Sequence, residues 1–232
     1  MTPVVTPEAK ALFRRGTESL AQGQKVEAAR FLFQAVKLQP DYFDALYNLG
    51  LVLQELDKAS EAIACYEQVL RIKPDFARAW NNLGVAHHKA RRSELAVDCH
   101  RRAICLQPKD SSYYNNLANA LRGMNRPVEA IHEIQTALQF DPPSWMLKIN
   151  LGDALREAGR IDESVAVYEE MLRADPSLAE AHFGLGFSLL LRGDMVPGWN
   201  EYEWRWRLKD HAPPRKFAQP AWQGEEIRGL RL

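Results

Sequence analysis

The sequence predicts an all-α fold, a solenoid of stacked antiparallel helix pairs, and two observations in one register predict it. Prolines recur at Pro40, Pro74, Pro108, Pro142 and Pro176, each 34 residues after the last. Small residues recur in the same frame at Gly16, Gly50, Gly84, Ala118, Gly152 and Gly186. A strict period of this length marks repeats that touch only their neighbours, so the 232 residues are expected to form an elongated array rather than compact domains.

Residues 1–8 form a leader and the start of the first helix, with Thr6 as N-cap, Pro7 at the first helical position and Glu8 in the first turn. Leu12 and Phe13 anchor that helix. Gln22-Gly23-Gln24 makes the turn, and a second helix carries Ala28, Leu32, Ala35 and Val36 before Gln39-Pro40-Asp41 stops it. Five repeats follow this design over 9–42, 43–76, 77–110, 111–144 and 145–178. Gly50, Gly84 and Gly152, with Ala62, Ala96 and Ala130, remove side chains where helices must approach closely. Leu49, Leu83, Leu117 and Leu151 are expected to pack against Tyr66, His100, Ile134 and Tyr168. The closing proline supplies no helical N–H and disfavours helix in the residue before it. The doubled Pro142-Pro143 is expected to stiffen one junction.

Residues 179–208 read as a degenerate sixth repeat of capping helices: Asp210 holds the closing proline's place and Gly198 replaces the alanine. Trp199, Tyr202 and Trp206 stand at i, i+3 and i+7, which predicts one helical face that caps the array or docks a partner. Glu201 with Arg205, and Glu203 with Arg207, are spaced as i, i+4 pairs. Residues 209–232, with Pro213, Pro214, Pro220 and Trp222, read as an extended linker. Its last residues, Ile227 to Leu232, alternate as an incoming strand does, so a further C-terminal domain is expected beyond them.

Thirty Lys plus Arg balance thirty Asp plus Glu, which leaves no overall basic field to attract nucleic acid or an anionic membrane. Nowhere do about 18 apolar residues run together, and the N-terminus has no signal-peptide core. Cys65, Cys99 and Cys105 are too few and irregular for a disulfide framework or paired zinc motif, and suit a reducing cytoplasm. Cys65 and Cys99 share one place in successive repeats and read as packing residues. The histidines form no metal motif, and there is no phosphate loop, GxGxxG or GxSxG. No catalytic residue, metal or cofactor is therefore expected, and a cytoplasmic, non-enzymatic chain is.

The pattern of a large residue, Leu-Gly, an alanine twelve later and a closing proline, as in Trp80, Leu83-Gly84, Ala96 and Pro108, resembles the tetratricopeptide repeat. That resemblance implies a right-handed superhelix whose first helices line a concave groove. Asn48, Asn82, Asn116 and Asn150 hold the sixth position of four successive repeats and form a ladder beside that groove. A carboxamide both donates and accepts, so a ladder could hold an extended peptide with little regard for sequence. The resemblance equally implies a structural role, because asparagine at this position bridges adjacent helices. Both readings stand at this stage. Asn81, Asn115, Asn119 and Asp153 add polarity, and Gln54, His88, Arg122 and Arg156 share the twelfth position as a rim. At about 0.5 to 1.5 kcal/mol net per hydrogen bond, peptide binding of about micromolar strength or weaker is expected. Phe13 and Tyr47 stand where a lysine would serve the basic clamp for chaperone C-termini, so that subclass is not expected.

The Asn ladder also resembles the superhelical arm of O-GlcNAc transferase. Gly193-Asp194, the run from Gly198 to Arg207, and Gln219-Pro220-Ala221-Trp222-Gln223-Gly224 are similar to the junction in bacterial tetratricopeptide proteins that precedes a glycosyltransferase-like region. The resemblance implies an interaction scaffold that binds a protein or peptide and presents substrates to such a region. The alternative is an assembly or chaperone adaptor that acts by self-association or through its convex face.

Overall fold

The computed structural model describes residues 5–208. The first four residues and the 209–232 linker, with Pro213, Pro214, Pro220, Trp222 and the strand-like end, lie outside the described residues. Twelve helices follow in tandem: α1 (Pro7–Ala21), α2 (Lys25–Leu38), α3 (Phe43–Glu55), α4 (Ala59–Ile72), α5 (Ala77–Lys89), α6 (Ser93–Leu106), α7 (Ser111–Gly123), α8 (Pro127–Leu138), α9 (Trp145–Glu157), α10 (Ile161–Ala174), α11 (Ala179–Arg192) and α12 (Met195–Tyr202). A 3-10 turn, Glu203–Arg207, closes the described chain. The Thr6 side chain caps α1, accepting from the Ala9 N–H at 3.3 Å.

Each odd-numbered helix packs on the even-numbered helix after it, and each even-numbered helix on the next odd one. Successive first helices also touch, α3 with α5, α5 with α7, α7 with α9 and α9 with α11; no pair of successive second helices does so to comparable extent among the described residues. The track along which elements approach more closely is the inner side of a curved stack, so the first helices form the concave face. The core runs along the stack as successive clusters, each shared by neighbouring pairs.

Close approach within a pair is set by a ring on a glycine. A Cβ on Gly50 would lie 2.7 Å from Tyr66 Cε1, on Gly84 2.6 Å from His100 Cε1, and on Gly152 2.5 Å from Tyr168 Cζ. The second-helix side chain thus sits on the glycine itself. Repeat four, with the smaller Ile134 on its second helix, carries Ala118 in the glycine's place, and both are fully buried.

The turn inside each pair is equally periodic. Gly23, Asp57, Arg91, Asn125, Gly159 and Gly193 all have φ between 56° and 99°, the left-handed region. At the closing prolines, Gln39, Lys73, Gln107 and Asp175 leave the helix with φ between −140° and −136° and ψ between 80° and 97°. Beside Pro142-Pro143, α8 instead ends at Leu138, and Phe140 turns back to pack on Tyr114 with ring centroids 5.6 Å apart.

At the C-terminal end α12 lies on α11, where a Cβ on Gly186 would meet the Tyr202 backbone N at 2.6 Å. The single face expected for Trp199, Tyr202 and Trp206 does not persist, because the helix tightens to 3-10 winding after Tyr202. Tyr202 packs inward on Phe183 and Phe187, centroids 5.3 and 5.1 Å away, while Trp199 and Trp206 stay exposed. The same tightening removes the expected i, i+4 pairs. Arg205 instead bonds Glu203 at 2.8 Å, Glu201 bonds His182, and Arg207 lies over Trp204 at 3.9 Å.

Candidate functional site

The carboxamide ladder runs between first helices with a stride of 35 residues. Asn82 Nδ2 donates to the Tyr47 hydroxyl at 3.1 Å, Asn116 Nδ2 to Asn81 Oδ1 at 3.0 Å, and Asn150 Nδ2 to Asn115 Oδ1. Each sixth-position amide therefore clips its repeat to the fifth position of the repeat before. The ladder's ends have plain causes. One stride before Asn48 stands Phe13, which offers no acceptor, and Asn48 Nδ2 turns to Asp44 O of its own helix at 2.8 Å. At the other end the sixth position is Gly184, whose Cβ would fall 2.4 Å from Tyr168 Cζ; the tyrosine ring fills the place of an asparagine.

This geometry divides the residues that the sequence placed at the groove. Asn81, Asn115 and Asn150 are buried, each less than a tenth exposed. Their bonds are of the bridging kind, the second of the two roles expected of the row: they join neighbouring repeats. Asn81 Oδ1 also accepts from His100 Nδ1 at 2.9 Å, and burial, with His88 nearby, pushes the His100 pKa down to about 4, so the imidazole is neutral at neutral pH.

Arg122 bridges repeats four and five. It makes two bonds to the Glu157 carboxylate at 2.9 and 2.6 Å, one to Asn150 Oδ1 at 3.1 Å, and lies 3.3 Å from Asp153. Burial works against its charge, but Glu157 and Asp153 more than offset this and its pKa rises. Asp153 is further held by Arg156 at 2.7 Å and the Tyr168 hydroxyl at 2.8 Å. The Arg156 guanidinium lies 5.4 Å from the Phe187 ring centroid, and its Nη1 is buried without a hydrogen-bond partner. Gln54 of the same rim accepts from the Tyr66 hydroxyl at 3.4 Å.

What remains open gathers in a concave cleft of about 480 Å³ lined by Val85, His88, Asn116, Asn119, Arg122 and Glu157. The side chains of His88 and Asn119 and the Oδ1 of Asn116 make no hydrogen bond among the described residues. A smaller cleft of about 220 Å³ follows it, with Asp153, Arg156, Tyr168 and Phe187 on its walls. Val85 and Glu157 were not expected at the site; Glu157 stands one 35-residue stride beyond Arg122, the same interval as the ladder. Cys65 and Cys99 are buried away from both clefts, with thiols pushed up by burial to about 11 and about 12. Among the described residues there is no metal-ligand cluster and no helix long and apolar enough to cross a membrane.

Residues 55–90 and 152–193 match the family profile described as TPR repeat, and residues 77–110 the one described as tetratricopeptide repeat. A tetratricopeptide repeat protein from Parabacteroides merdae is 15% identical with a TM-score of 0.78, covering 85% of this chain and 78% of its own. MamA from residue 41 to its end, from Desulfovibrio magneticus, is 20% identical with a TM-score of 0.70 over 75% of this chain and 99% of its own. YrrB, described as a TPR protein with an unusual peptide-binding site, is 17% identical with a TM-score of 0.59, covering 78% of this chain and 93% of its own. At these identities the likeness is one of fold: a superhelical solenoid of helix pairs.

Proposed function

From a chain that carries tetratricopeptide repeats, we propose a scaffold that binds an extended peptide or protein segment along the concave face of its first helices. One observation carries the reading. The cleft between α5, α7 and α9 presents His88, Asn119 and the unspent half of the Asn116 carboxamide, with Arg122 fixed beside them. Backbone C=O and N–H groups of an extended segment match these donors and acceptors. The ladder and the Arg122 network hold the walls in place beforehand, which lowers the cost of ordering on binding. YrrB, of the same fold, is described as having a peptide-binding site, which supports the ligand class.

The finer reading is that this arm selects or presents protein substrates for a glycosyltransferase-like region. Its support is the resemblance of the Gly198 to Arg207 run and of the Gln219 to Gly224 segment to such a junction; the second segment lies outside the described residues. The alternative, an assembly or chaperone adaptor, draws on a separate groove on the outer face, between α4 and α6.

Peptides selected from an unbiased display library against this chain test the proposal. Asn119→Arg fills the cleft without touching the ladder and is expected to weaken binding at least tenfold, whereas Leu95→Glu on the outer face leaves it unchanged. Binding indifferent to Asn119→Arg contradicts the concave site.

A further inference from the structure

The fifth and ninth positions of the first helices change character at the C-terminal end of the groove. The fifth position runs through Asn81 and Asn115 to Ile149 and Phe183; the ninth runs through Asn119 and Asp153 to Phe187. The asparagine clip stops there as well. Gly184 stands at the sixth position of α11, so no amide joins α11 to α9, and the cleft of about 220 Å³ opens between them. Tyr168 closes its floor, wedged between Gly152 and Gly184, with its hydroxyl spent on Asp153 at 2.8 Å. Ile149, Phe183 and Phe187 give it apolar walls, and Phe187 is 36% exposed.

The charges around this cleft select against ligands of either sign. Asp153 and Glu180 line it and Glu157 stands beside it, against only Arg156 and Arg122, so an anion meets net negative charge. A cation finds its place taken. The Arg156 guanidinium already lies 5.4 Å from the Phe187 ring centroid and bonds Asp153 at 2.7 Å. What the cleft lacks is apolar content and one acceptor, because Arg156 Nη1 is buried with no hydrogen-bond partner.

We propose that this cleft is the specificity pocket of the concave groove and takes one uncharged, bulky apolar side chain of the bound segment, an aromatic one best, with a C=O of the same segment accepting from Arg156. The inference rests on the concave-face reading and gives it a sequence preference. Phe183 and Phe187, with centroids 4.9 Å apart and planes at 71°, offer an edge-to-face pair that a third ring extends. With neighbouring first helices about 8 to 10 Å apart and about 3.3 Å per extended residue, the apolar residue falls about three positions from those that meet Asn119. The carboxamides there accept any backbone, whereas this pocket discriminates between side chains.

N-acetylphenylalaninamide, which carries one aromatic side chain between two backbone amides, probes the cleft without the rest of the groove. Titrated onto the full isotope-labelled chain, it is expected to shift the signals of Ile149, Phe183, Gly184 and Phe187 saturably, with a Kd of about a millimolar for a ligand of about fifteen non-hydrogen atoms. The aspartate and lysine counterparts are expected to bind about tenfold more weakly or worse. Phe187→Ala should weaken the phenylalanine probe about fivefold or more, and Ile149→Trp, which fills the cleft from the other wall, should abolish its binding. Circular dichroism shows whether each variant keeps its helices. No saturable shift, charged counterparts that bind as well, or binding unchanged by Phe187→Ala in a folded chain overturns the proposal. The two readings fail separately. A silent cleft, with peptide binding still lost in Asn119→Arg, removes the pocket and leaves the groove; peptide binding indifferent to Asn119→Arg removes the groove, and the pocket as part of it.

Discussion

Asn116 donates to Asn81 across the junction between the third and fourth repeats at 3.0 Å, and the same Asn81 oxygen accepts from His100 at 2.9 Å. One buried carboxamide therefore ties two repeats together and fixes the imidazole packed on Gly84. Removing Asn81 leaves the buried His100 imidazole without its partner and frees the half-buried Asn116 amide. A double-mutant cycle on Asn81→Ala and Asn116→Ala should give a coupling of about 0.5 to 1.5 kcal/mol in urea unfolding. Asn48→Ala, whose amide bonds only its own helix, should cost less than about 0.5 kcal/mol.

The ring-on-glycine contact predicts a compensating exchange. Gly84→Ala places a methyl 2.6 Å from His100 Cε1 and should destabilise by about 1 to 3 kcal/mol. Adding His100→Ile reproduces the Ala118 and Ile134 pair of the fourth repeat. The double variant should recover most of that loss by the same unfolding assay, although Gly84→Ala alone also gains helix propensity.

His100 predicts a pH dependence of stability. Its folded pKa is about 4 against the ordinary 6.5, so between these values the unfolded chain binds a proton that the folded chain does not. The stabilisation is complete above pH 6.5 and is lost as the pH falls towards 4. His100→Tyr, which places there the residue of Tyr66 and Tyr168, removes this component. From pH about 7.5 to about 5, wild type should lose about 2 kcal/mol more than the variant.

Arg91, with φ of 57°, holds the turn position that Gly23, Gly159 and Gly193 hold elsewhere. A side chain in that region carries a steric cost that glycine avoids. Arg91→Gly should raise stability by about 1 kcal/mol, offset in part by the greater freedom of the unfolded chain, and Gly159→Ala should lower it by about as much. Thermal unfolding of the two variants checks both signs.

The fold class was legible because the 34-residue period is written in prolines and small residues, whose backbone effects hold in any context. The left-handed turn was only partly so. Gly23 marks it, but Asp57, Arg91 and Asn125 occupy it in three repeats, and only counting from Gly23, Gly159 and Gly193 finds them. The asparagines were visible as a row, yet their partners were not, since a 35-residue stride joins the sixth position to the fifth and depends on how first helices stagger. Local spacing misled at the C-terminal end. Glu201 and Arg205 fit an α-helical pair, but the chain there follows 3-10 winding, and tertiary contact with His182 takes the glutamate.

The central claim, that the concave face of the first helices is the binding surface, is tested most directly by nuclear magnetic resonance. A pool of unstructured peptides is titrated onto the isotope-labelled chain while the signals of Val85, His88, Asn116 and Asn119 are followed. Shifts concentrated on those residues, and lost in Asn119→Arg, are the predicted result. Shifts confined to the second helices, or none at saturating peptide, contradict it.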